Sequence, residues 1–155
     1  MGNKVKKGIT LMILVVTIII LAIMLGASIY SSVNVIDKSS MADFRTTISR
    51  IEDLVQTYKL TNGSLPVTSS IPINYSGITS ALSGDALANC AEQLTANQDT
   101  DSLFYYVDFD KINVTQTGFS VEGKVVINDE GTHAYYLPGM YISGKWYFTN
   151  YSYDN

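Results

Sequence analysis

Lys4-Val5-Lys6-Lys7-Gly8-Ile9-Thr10-Leu11-Met12-Ile13-Leu14-Val15-Val16-Thr17-Ile18-Ile19-Ile20-Leu21-Ala22-Ile23-Met24-Leu25-Gly26-Ala27-Ser28-Ile29 is the stretch that decides how this chain is organised. Three lysines stand in front of Gly8, and no charge follows until Asp37. A helix of roughly 20 apolar residues, at ~1.5 Å each, spans the ~30 Å hydrocarbon core of a bilayer. The sequence therefore predicts a membrane-entering helix over residues 9–30. The basic residues before it and their scarcity just after it predict a cytoplasmic N-terminus, a single pass and a domain outside the cell.

Three readings of the segment compete. A cleaved signal peptide has an apolar region of about 7–15 residues and a small-x-small cleavage site. This run is longer, and Met24-Leu25-Gly26-Ala27-Ser28 matches such a site only loosely. The second reading is a plain anchor that stays in place. The third is an anchor cut on its basic side, between Gly8 and Ile9.

Working outward, the chain turns polar after Ile29 but keeps a helical period. Phe44, Ile48, Ile51, Val55 and Tyr58 recur every three or four residues and form one apolar stripe. Asp43, Arg45, Arg50, Glu52, Asp53 and Lys59 fall mostly on the other faces. One helix is expected from about Ile9 to about Leu60, some 75–80 Å long at ~1.5 Å per residue. Gly26-Ala27-Ser28 and Tyr30-Ser31-Ser32 are its weak points, since an interior Gly costs about 1 kcal/mol relative to Ala. Ala22 and Gly26 also form a small-xxx-small pair suited to close helix packing. Asn62-Gly63 supplies a left-handed cap, and Pro66 prevents continuation.

From Pro66 to Tyr75 the sequence reads as loop, and residues 78–98 as one or two short helices. Beyond Leu103 the residues favour strands. Leu103–Phe109, Phe119–Ile127 and Thr132–Leu137 are expected strands, and Met140–Ile142 with Lys145–Tyr151 an expected hairpin. The fold class is α+β: a long N-terminal helix with a membrane-spanning half and an amphipathic half. The amphipathic half packs on a C-terminal antiparallel sheet of about four strands. The expected organisation is a basic leader at 1–8, an apolar helix at 9–30, an amphipathic half-helix at 31–62 and a globular head at 63–155.

Lys7-Gly8-Ile9-Thr10-Leu11 followed by the apolar run resembles the start of a type IV prepilin or pseudopilin of the Gram-positive kind. The Asn62-Gly63 stop followed by Pro66 is similar to the end of the first helix in that family, with Leu65 where a Tyr is usual. The resemblance implies that a prepilin peptidase reads Lys7 and Gly8, cuts before Ile9 and methylates the new Ile9 terminus. It implies that Thr10, Leu11, Ile13 and Gly26 lie on a helix used first as an anchor and then in assembly. The partners it implies are membrane lipid, other pilin-like subunits and the peptidase. Most major pilins carry Glu five residues into the mature chain; here Ile13 occupies that position. A carboxylate in hydrocarbon is expensive unless paired, so its replacement removes a pairing interaction and makes a better simple anchor. That points to a minor or tip subunit, or to a single-span surface protein whose outer domain binds a partner without polymerising.

No catalytic constellation is legible, so an enzyme is not expected, nor is a cofactor. His133 is the lone histidine, which leaves little material for metal clusters or triads. Asn97-x-Asp99-x-Asp101 has the alternating oxygens of a calcium loop but lacks its Gly and final Glu, so it is only a weak metal candidate. Asp108 and Asp110 are expected on one face of a strand. Cys90 is the one cysteine, which excludes an internal disulfide and suggests a buried small residue. Eight of the eleven tyrosines follow residue 100, with Trp146 among them; sheet packing is the default reading, an exposed aromatic patch the alternative. The formal charge is −4, and becomes −7 without the three leader lysines, which argues against direct nucleic-acid binding.

Overall fold

The computed structural model of the chain describes residues 13–19, 40–114 and 124–153. The chain divides into two units, Met1–Lys38 and Ser39–Asn155. In the first, residues 13–19 are helical. The expected leader, the Gly8–Ile9 junction, Thr10, Leu11, the Ala22/Gly26 pair and the expected weak point at Gly26-Ala27-Ser28 lie outside the described residues. So does the stretch joining the two helical segments.

The second unit is an α+β head that opens with helix α1, residues 40–62. Its stripe is buried as the periodicity predicts: Phe44, Ile48, Ile51 and Val55 are fully inaccessible, and Tyr58 packs at the margin. Gly63 ends the helix at φ +72°, its N–H donating to the Lys59 carbonyl at 2.8 Å. Two helices follow, α2 (Tyr75–Thr79) and α3 (Gly84–Ala96). Asn74 caps α2 by accepting from the Gly77 N–H.

The strands are β1 (Phe104–Tyr106), β2 (Val125–Asn128) and β3 (Ala134–Tyr136), antiparallel in the order β1-β2-β3. All four residues of β2 are buried because both faces of the sheet are covered. Val125, Ile127 and Ala134 face the α1 stripe. Val126, Phe104 and Tyr135 face Ile78, Cys90 and Leu94 of α2 and α3. The head is thus helix, sheet, helix. Period-two alternation along each strand sorts its side chains between two apolar layers.

The expected four-stranded sheet is corrected to three strands plus a separate hairpin, β4 (Met140–Ile142) and β5 (Lys145–Tyr147). After β3 the chain turns at Pro138-Gly139. The N–H of Tyr136 then meets the carbonyl of Phe148 at 2.6 Å, so residue 148 rather than β4 occupies the edge of β3. Gly139 has φ +68°, and a Cβ there would lie 2.7 Å from the Phe148 ring, so glycine is required. Ser143 and Gly144, at φ +50° and +83°, make the tight turn that joins β4 to β5.

The expected strand Leu103–Phe109 is also shorter than its composition suggests. Asp108 accepts from the Asp110 N–H and caps a one-turn helix, α4 (Phe109–Ile112), which Asn113 ends in the left-handed region. Asp108 and Asp110 are therefore a cap and a first-turn residue, not neighbours on a strand face. In the expected strand Phe119–Ile127, the part before Lys124 lies outside the described residues.

Candidate functional site

Of the residues that the resemblance ties to leader cleavage and assembly, Ile13 is described; Lys7, Gly8, Ile9, Thr10, Leu11 and Gly26 are not. Ile13, Leu14, Val15, Val16, Ile18 and Ile19 are between 46 % and 61 % exposed, so apolar side chains stand around the whole circumference of this segment. Its one polar side chain is satisfied internally: Thr17 Oγ1 donates to the Ile13 carbonyl at 2.7 Å. Among the described residues, no helix is long and apolar enough to cross a membrane.

The head contains a second, polar site centred on Asp99, which is 2 % exposed at the end of the α3 turn. Its Oδ2 accepts from the Tyr135 hydroxyl at 2.6 Å and pairs with His133 Nδ1 at 2.9 Å. Its Oδ1 accepts from Ser102 Oγ and from Asn128 Nδ2, both at 2.9 Å. A carboxylate offers about four lone-pair directions, and four protein donors meet them. His133 must carry its proton on Nδ1 to donate here. Asn128 in turn accepts the backbone N–H groups of Thr132 and His133 at 2.7 and 3.1 Å, which fixes the β2–β3 turn.

This arrangement does not fit the calcium reading of Asn97, Asp99 and Asp101. Asp99 has no oxygen direction left for a cation, and the Asn97 side chain presents its Nδ2 to the Tyr135 hydroxyl at 2.9 Å. Asp101 is exposed. Among the described residues, no group of three or more His, Cys, Asp or Glu could hold a metal. His133, the lone histidine, is half-exposed and is held by Asp99.

Burial, reinforced by the Asp99 hydrogen bond, keeps the Tyr135 hydroxyl protonated. Burial also pushes the Cys90 thiol up to about 12, so the lone cysteine is an inert core residue rather than a nucleophile. Glu52, on the flank of α1, accepts the Ala134 N–H at 2.9 Å. Burial raises its carboxyl above the ordinary 4.5, with the Ala134 bond and His133 pulling the other way. The native state thus holds this proton more tightly than the unfolded chain. The charged form costs stability, and that cost grows as pH rises from the unfolded value through the folded one. Glu52→Gln keeps an acceptor for Ala134 and removes the buried charge. It is expected to melt higher than the parent at neutral pH, with the gap closing by about pH 4. Coincident melts at neutral pH would show that Glu52 bears no such penalty.

A third cluster escaped the sequence reading. Gln93 is fully buried, and its Nε2 donates to the Trp146 carbonyl and the Tyr153 hydroxyl at 2.7 and 2.8 Å. Its Oε1 accepts the Phe148 and Thr149 N–H groups at 2.8 and 3.3 Å. Asn89, one turn earlier, accepts the Trp146 N–H at 3.0 Å. Two amides of α3 thereby complete the backbone hydrogen bonding of β5 as a neighbouring strand would. The available signal was a polar pair at i, i+4 sharing a face with Cys90 and Leu94. The aromatics beside it pack on one another: Tyr141 on Trp146 at 5.2 Å, and Tyr147 and Tyr151 edge-on to Tyr153 at 5.1 and 4.9 Å.

No family model, curated protein or solved structure matches this chain.

Proposed function

We propose that the chain is a pilin-like structural subunit of a type IV filament or a related secretion or DNA-uptake machine, processed after Gly8. The observation that carries this reading is the junction itself. Lys4, Lys6 and Lys7 end at a glycine, and an uncharged run begins at the next residue. Gly8 has no side chain to obstruct the approach of a peptidase to the Gly8–Ile9 bond. The basic residues hold the junction on the cytoplasmic side of the bilayer.

The structure supports the reading in two ways. The described apolar segment is hydrophobic on every side, and a helix of that kind requires lipid or other helices around it. Its Thr17 hydroxyl is already bonded to the backbone, as a polar group in hydrocarbon must be. The α1 helix also lays one stripe on an antiparallel sheet, the arrangement the resemblance implies for the head. On this reading the work of the protein is assembly, with Ile9–Ile29 packing against lipid before release and against neighbouring subunits afterwards.

Ile13 favours a second reading, a single-span surface protein whose head binds a partner without polymerising. Mass spectrometry of the protein from its native membranes separates the processing claim from both alternatives. A chain starting at Ile9, with or without a methyl group, is expected, and Gly8→Val should leave the leader attached. An intact Met1 in the parent, or a start near Ser28, would end the proposal. Recovery of the Ile9 chain in sheared surface filaments would favour the subunit reading. Its complete retention in the membrane fraction would favour the anchor.

A further inference from the structure

The chain has two arginines, Arg45 and Arg50, and both line one shallow, open groove along α1. The groove has a volume of about 510 Å³ and is completed by Thr46, Ser49 and Asp53. Arg45 Nη2 donates to the Tyr151 carbonyl at 2.9 Å, while its Nε is buried with no hydrogen-bond partner. Arg50 is exposed. The ion pairs among the described residues are Lys111–Asp108 and His133–Asp99, and neither arginine takes part. Ser49 Oγ accepts from Asn150 Nδ2 at 2.7 Å, which leaves its hydroxyl proton to give.

The groove therefore offers the exposed Arg50 guanidinium, the part of the Arg45 guanidinium not engaged with Tyr151, and two hydroxyls against a single carboxylate. Guanidinium groups bind oxyanions through paired, planar donors, and carboxylates are the commonest such partners on a protein. The rest of the chain is the opposite in charge. All 14 Asp and Glu lie beyond residue 36, against seven Lys and Arg in the same region. Asp85, Glu92, Asp101, Asp110, Asp129 and Glu130 are exposed on the head. Beyond residue 36 acids outnumber bases two to one, so a second copy presents this groove with more carboxylates than competing cations.

We infer that the arginine groove of α1 docks an exposed carboxylate of a second copy of this chain. The contact is heterologous: groove on one copy, acid on the other, so it can repeat from copy to copy. The inference rests on the subunit reading for its biological meaning, though not for its chemistry.

The test uses the full chain in detergent micelles, with self-association followed by energy transfer between labelled copies at low and high ionic strength. Arg50→Glu is suited to this because Arg50 is exposed and supports no core contact; circular dichroism checks that the variant is folded. Low-salt association of the parent should be about tenfold tighter than that of the variant, and the difference should vanish as salt screens the pair. A mixture of parent and variant should associate more tightly than the variant alone, because the acid of the variant can still enter the parent groove. Inorganic phosphate should compete more strongly than chloride at equal ionic strength if the guanidinium groups are the receptor. Equal association of parent and variant, or a mixture no tighter than the variant alone, would overturn the inference. The mass of the N-terminus is read on the same material. A chain starting at Ile9 with no dependence on Arg50 refutes the groove alone. An intact Met1 with Arg50-dependent association refutes the processing alone.

Discussion

Asp99→Ala is expected to be the most damaging single change in the head, with a loss of about 3–5 kcal/mol. The substitution strands the Tyr135 and Ser102 hydroxyl protons, takes one of its two acceptors from the Asn128 amide, and takes from His133 the group that orients it. Each buried donor left without an acceptor costs about 1–3 kcal/mol, partly relieved where water can enter beside half-exposed His133. The lost bonds tie the α3 turn to β2 and β3, so the effect should be global rather than a local fraying. A domain of this size has about 5–15 kcal/mol in total, so the variant should populate unfolded forms at ordinary temperature. Urea titration followed by the near-ultraviolet signal of Trp146 measures it. Tyr135→Phe removes one donor and keeps the ring against Phe104, so it should cost much less, about 1 kcal/mol. A smaller loss for Asp99→Ala than for Tyr135→Phe would show that Asp99 is not the centre of the network.

Gln93→Glu carries the second-largest expectation, although it changes only one terminal atom group. The amide nitrogen that donates to the Trp146 carbonyl and the Tyr153 hydroxyl becomes a carboxylate oxygen facing the same carbonyl. The site is fully buried, so the new oxygen is either charged and desolvated or protonated with one donor where two were needed. The expected loss is about 2–4 kcal/mol at neutral pH, and it shrinks in acid as the carboxyl takes up a proton. Thermal melts at neutral and acid pH check both parts. Gln93→Leu separates shape from bonding: it fills the space but deserts all four partners, and should also be destabilised.

The parts of this fold legible in the sequence are those set by local chemistry. The α1 stripe follows from the helical period of Phe44, Ile48, Ile51 and Val55, and the helix end from Asn62-Gly63. The β4–β5 turn follows from Ser143-Gly144. What was not legible depends on partners distant in the chain. Asp108 could end a strand or cap a helix, and the Asp110 N–H it accepts decides between them. The division into three strands and a hairpin depends on Phe148 reaching Tyr136 and on the amides of α3 reaching β5. Neither leaves a periodic trace. Asn97-x-Asp99-x-Asp101 has the same spacing whether its oxygens face a cation or protein donors. Three of the four donors at Asp99 come from β2, β3 and the turn between them, about thirty residues further along. Glu52 lies off the apolar stripe of α1 in the sequence pattern, yet it serves the Ala134 N–H on the sheet.

The Gln93 amide gives the head a means of registering its own completion. All four of its partners belong to residues 146–153, more than fifty positions later in the chain. Until that segment has been made and delivered, α3 carries a polar group directed into an apolar layer with nothing to bond. A head truncated before Trp146 is therefore expected to be loose and protease-sensitive, whereas the finished head closes as a unit. Closure of the head is thus a readout of chain completeness: copies lacking residues 146–153 identify themselves by failing to close.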